Sequence, residues 1–98
     1  MSSFEQIAKR LGEKKFSKSA RQLILDRAVV HLLQGRRLEV QRGPLTLYMG
    51  SSSENRRDPF WYEHPGGRTY KETPLEVVMK VLPHVGFERL EKAKVYPS

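Results

Sequence analysis

Residues 37–49 read Arg-Leu-Glu-Val-Gln-Arg-Gly-Pro-Leu-Thr-Leu-Tyr-Met, two alternating runs on either side of a Gly-Pro turn. Leu38 and Val40 share one side of the first run; Leu45, Leu47 and Met49 share one side of the second. A period of two interrupted by Gly43-Pro44 predicts a β-hairpin with one apolar face. A second hairpin is expected further on, with Phe60 to Glu63 and Arg68 to Lys71 as its strands and His64-Pro65-Gly66-Gly67 as its glycine-rich turn. The polar stretch from Ser51 to Asp58, ending at Pro59, reads as an exposed loop between them. The middle of the chain is therefore expected to form a four-stranded antiparallel meander.

Outward from this centre the period changes to that of a helix. Ser3 and Gln6 stand at capping-box spacing, and Phe4, Ile7, Ala8 and Leu11 follow on one helical face, with Gly12 as the stop. A second helix is expected from a cap at Ser17 or Ser19 to about Gln34, ended by Gly35. Its Ile24, Leu25, Ala28, Val29, Leu32 and Leu33 spread over about half the circumference. So wide an arc predicts the most buried helix of the domain, or a helix shared with a second subunit in a homodimer. On the C-terminal side, Thr73-Pro74-Leu75-Glu76 is a full helix start, with a capping Thr, Pro at the first position and Glu at the third. This helix should turn Leu75, Val78, Met79 and Leu82 inward and break at Pro83. After Gly86, residues 87–96 read as a closing strand, with a helix over 88–94 as the alternative. The expected order is α-α-β-β-β-β-α-β, a single α+β domain over residues 1–98 with the sheet covered on one side. Ile24, Ala28, Leu32, Leu47 and Val78 should be among the most buried positions.

Composition bounds the function classes. A chain of 98 residues suits one modest core. It contains no cysteine, which excludes disulfides, thiolate zinc sites and a thiol nucleophile. That fits a reducing compartment, so a cytoplasmic location is expected. Apolar runs are short, Val29-Val30 being broken at once by His31, and none approaches the ~20 residues a membrane span needs. The net charge is +7. Residues 1–50 hold 10 Lys or Arg against 4 Asp or Glu, whereas residues 51–98 hold 8 against 7. A positive field concentrated in the N-terminal half attracts polyanions, so DNA or RNA is the expected partner.

The candidate contacts follow from that asymmetry. Lys9, Arg10, Lys14, Lys15, Lys18 and Arg21 form the densest basic segment, placed at a connector and a helix start to meet phosphates or simply to face water. Arg36-Arg37 and Arg56-Arg57 stand at element ends, where they extend such a surface or interact with a helix C-terminus. In Phe60-Trp61-Tyr62 the middle ring must look away from its neighbours. Trp61, beside Arg57 and Arg68, then offers a stacking platform for an unpaired base or an anchor for a protein partner, unless it is core.

Ile7-Ala8-Lys9-Arg10-Leu11-Gly12 is similar to the first helix and turn of helix-turn-helix DNA-binding proteins. The resemblance covers about a quarter of the chain and implies a recognition helix next, with a hairpin wing after it. Lys18 and Arg21 depart from it, standing where that family has core aliphatics. Glu63-His64-Pro65-Gly66-Gly67-Arg68 resembles the His-Pro-x-Gly-Arg hairpin of small toxin-type ribonucleases of the HicA class. Those carry a catalytic His before the hairpin, and here that region reads Arg56-Arg57-Asp58. No catalytic set, no metal-ligand spacing and no cofactor fingerprint stands out. The expectation is a non-enzymatic nucleic-acid-binding protein, with a protein-interaction module using the hairpin aromatics as the alternative.

Overall fold

The structure, a computed structural model, describes residues 16–97. The helix expected over residues 3–11 lies outside the described residues. The first described element is α1 (Lys18–Leu33), opened by Ser17, whose hydroxyl accepts the Ala20 N–H at 3.1 Å. It ends where Gly35 takes a φ of 79° and its N–H reaches back to the Leu32 carbonyl. Ile24, Leu25, Ala28 and Leu32 point into the core.

Five strands follow the expected hairpins: β1 (Arg37–Arg42), β2 (Leu45–Ser51), β3 (Phe60–His64), β4 (Gly67–Lys71) and β5 (Lys94–Tyr96). Gly43, at a φ of 57°, makes the first hairpin's turn. The strands form one antiparallel sheet in the order β4-β3-β2-β1-β5. The last strand thus returns to the far edge, beside β1 rather than beside β4.

Between β4 and β5 runs α2 (Pro74–Glu91). Its start is the expected capping box: Thr73 Oγ1 accepts the Glu76 N–H and Glu76 accepts the Thr73 N–H. Two expectations need correction here. Pro83 does not end the helix; a proline removes one N–H donor, and the turn survives that loss inside a packed element. The break falls at Gly86, whose φ of 81° and ψ of 170° only glycine adopts readily. The His84 carbonyl near this kink accepts Arg42 Nη1 at 2.9 Å. Beyond it Phe87 to Glu91 is helical again, so the closing strand shrinks to Lys94–Tyr96. Phe87 turns fully inward, where its ring meets Phe16 at 6.3 Å between centroids.

The most buried helix is α2, not α1. Val77, Val78, Val81, Leu82, Val85 and Phe87 are all 0% exposed, while Leu75, expected inward, is 49% exposed. α1 leaves Leu23, Val30 and Leu33 outside, at 49%, 47% and 62% exposure. Its wide apolar arc exceeds what one packed face can cover. Both described helices lie on one side of the sheet and enclose Leu38, Val40, Leu47 and Met49 with their own apolar faces. Ile24, Ala28, Leu32, Leu47 and Val78 are all buried, as the periodicity indicates. Among the described residues no helix is long and apolar enough to cross a membrane.

Candidate nucleic-acid interface

Strand alternation that sends Leu38, Val40, Leu47 and Met49 to the helices sends their neighbours to the other side of the sheet. Register then aligns those neighbours into two rows. One row runs Arg68, Glu63, Tyr48, Glu39 and Lys94 across β4, β3, β2, β1 and β5. The other runs Tyr70, Trp61 and Gly50, then Arg37 one step beyond the Leu38–Met49 pair, then Tyr96. The face that the described helices leave uncovered is thus built of aromatic and charged side chains.

Each end of this face has its own geometry. At the β1–β5 end, Arg37 sets its guanidinium 5.7 Å from the Tyr48 ring centroid and 4.9 Å from that of Tyr96. Tyr96 Oη donates to Glu39 Oε2 at 3.0 Å. This hydrogen bond first, and one from Tyr48 next, holds the Glu39 carboxyl below its ordinary range. The same bonds push the Tyr48 and Tyr96 phenols up. At the β3–β4 end, Trp61 lies flat across Gly50, so close that a Cβ there would stand 2.5 Å from the indole Cζ2. Arg68 covers the indole from above, 3.8 Å from its centroid, and reaches Glu63 at 3.7 Å.

Trp61 is therefore not the open platform that its neighbours in the sequence suggest. It is 6% exposed, sealed between a glycine and a guanidinium. The surface offered at that point is the plane of Arg68. Arg56 and Arg57 sit exposed in the β2–β3 loop and share a shallow hollow with Tyr70 at the rim of the same face. That loop is tied by Asn55, whose Oδ1 accepts the Asp58 N–H, and by the Ser52 N–H donating to the Pro59 carbonyl.

The remaining expected contacts are scattered. Lys9, Arg10, Lys14 and Lys15 lie outside the described residues. Lys18 is exposed at the start of α1, but Arg21, half-buried, stands on the same side of the helix as Ile24 and Ala28. Arg36 folds onto the end of α1, donating to Gln34 Oε1 and, at 3.1 Å, to His31 Nδ1. It follows the helix-terminus alternative. Arg37, Arg56, Arg57, Trp61 and Arg68 are gathered on or around the open face. Sequence reasoning missed Glu39, Tyr48, Lys94 and Tyr96. The alternation already placed Glu39 and Tyr48 opposite the apolar positions; nothing local placed β5 beside them.

His64 stays inside its hairpin. Its Nδ1 accepts the Gly66 N–H and its Nε2 faces Thr69 Oγ1, both at 3.2 Å. With His84 it borders a largely apolar cavity of about 360 Å3 beneath α2. No group of three or more metal-binding side chains occurs among the described residues.

No protein-family model matches the chain, and no curated protein and no solved structure matches it either.

Proposed function

We propose that this chain binds single-stranded nucleic acid across the uncovered face of its sheet and catalyses no reaction. One observation carries the reading: both described helices pack on one side, leaving Tyr48, Tyr70 and Tyr96 with Arg37, Arg68 and Lys94 on the other. Unpaired bases stack on aromatic rings or on a guanidinium plane, each stack contributing about 1–3 kcal/mol. The Arg68 plane over Trp61 and the tyrosine rings beside Arg37 are spaced along the face as such platforms. Arg56 and Arg57 at the rim, with Lys94 at the opposite edge, would follow the phosphates. Glu39 and Glu63 make the middle of the face unfavourable to a backbone, which favours bases there. A duplex groove calls instead for a polar, convex element, and α1 shows Leu23, Val30 and Leu33 outward.

Those same three side chains favour the second reading, a protein partner seated on α1. Binding titrations with one oligonucleotide, single-stranded and as a duplex, at low and high salt, separate the two. The expected result is tighter binding of the single strand, weakening steeply with salt. Replacing Arg56 and Arg57 together by Ala should lower the log–log salt slope by about 1.4, since each single-strand phosphate contact contributes ~0.7. Preference for the duplex, or no binding at low salt, would count against the proposal.

A further inference from the structure

We propose that β4 is a self-pairing edge: it joins antiparallel to β4 of a second copy about a twofold axis at Thr69, making one continuous sheet. The inference stands apart from the nucleic-acid reading. Among the described residues β4 is hydrogen-bonded to β3 alone, and in an antiparallel ladder half of an edge strand's amides and carbonyls face outward. Proteins commonly blunt such edges with bulges, prolines, charged side chains or very short strands. β4 is five residues long, contains no proline and keeps unbroken register from Phe60–Lys71 to His64–Gly67; of such devices it carries only charge, at Arg68 and Lys71. The opposite edge, β5, is only three residues long.

The strand complements itself. A twofold axis perpendicular to the sheet keeps each face on its own side, so it must pass through a residue rather than between two. Through Thr69, the midpoint, the whole strand overlaps. Arg68 then lies opposite Tyr70 of the second copy on the open face, and Tyr70 opposite its Arg68, two guanidinium–aromatic pairs. Lys71 falls opposite a glycine and meets no like charge. An axis through Arg68 would set two guanidiniums face to face, and one through Tyr70 would run the pairing past the strand's end. Apolar surface flanks the edge on both sides. Tyr70 is 39% exposed on the open face, and Leu75, 49% exposed, borders a groove with Lys71 and Met79 on the helical face. Glu76 stands with Lys71 and Lys80 along that groove.

The chain has no cysteine, so Thr69→Cys supplies a single thiol. Residues directly opposite on such an axis have Cα atoms about 4.5–5.5 Å apart, within the ~4.4–6.8 Å that a disulfide spans. Mild oxidation should convert this variant to a covalent dimer, whereas Glu91→Cys, exposed at the end of α2, should form no crosslink. Sedimentation of the unmodified chain should show a dimer, and Tyr70→Arg, which opposes two guanidiniums, should weaken it at least tenfold with unchanged circular dichroism. A chain that is monomeric throughout the micromolar range overturns the proposal. So does a dimer that survives Tyr70→Arg and leaves Cys-bearing position 69 uncrosslinked.

Discussion

Gly50 is where a single atom decides the shape of the open face. Its backbone is not in the left-handed region, so the requirement for glycine is steric: the indole of Trp61 occupies the place of a Cβ. Gly50→Ala should push the ring outward and cost about 1–3 kcal/mol, the usual range for overpacking. Trp61 is the sole tryptophan, so a red-shifted emission with a lower denaturation midpoint checks both parts. Glu39 supports a second residue-level prediction. Its carboxyl is held below its ordinary range, chiefly by Tyr96, so the unfolded state binds the proton more tightly. The stabilisation is present above the ordinary carboxylate range and is lost as pH falls through the depressed value. The phenols run the other way, contributing below their ordinary value and losing the contribution as pH rises through the raised one. A carboxyl-resonance titration should show Glu39 ionising below an ordinary Glu, and Tyr96→Phe should move it back up. An unmoved titration in the variant contradicts the assignment.

At the scale of elements, Pro83 and Gly86 show why local rules and packing diverge. A proline within a helical pattern is a reasonable place to end it, yet Val81, Leu82 and Val85 on either side are fully buried. Burial of those side chains outweighs one missing hydrogen bond, and the chain turns instead at the glycine. Gly86→Ala should therefore destabilise by about 1–3 kcal/mol, the cost of holding a side-chain-bearing residue in a glycine-only conformation. Pro83→Ala should be far milder. Leu32→Ala on α1 should cost about 2–5 kcal/mol, because Leu32 is 1% exposed and packs among the core side chains. Chemical denaturation of the three variants checks the order. The strands were the most legible elements, since Gly43-Pro44 and the alternations of Leu38 to Met49 each determine a local geometry. The burial ranking of the helices was less so: an apolar arc counts what a helix could bury, while the sheet's area limits what it does bury.

Across the whole molecule, the open face is assembled from strands distant in the sequence. Tyr96 and Glu39 are 57 positions apart, and only the return of β5 to the β1 edge brings them together. The basic pairs were visible as residues, but their sorting was not. Arg36 and Arg37 are neighbours, and one caps a helix while the other lies between two tyrosines on the sheet. The N-terminal charge excess remains a second source of attraction for a polyanion. Replacing Lys14 and Lys15 by Ala should lower the salt slope, for single-stranded ligand by about 1.4. Salt titration beside the Arg56 and Arg57 variants shows which surface dominates. The most direct test is a heteronuclear NMR titration of the chain with a short single-stranded oligonucleotide. The account predicts shifts concentrated at Arg37, Tyr48, Arg68, Tyr70, Lys94 and Tyr96, with the outer side of α1 unmoved. Shifts confined to α1, or none anywhere at low salt, would contradict it.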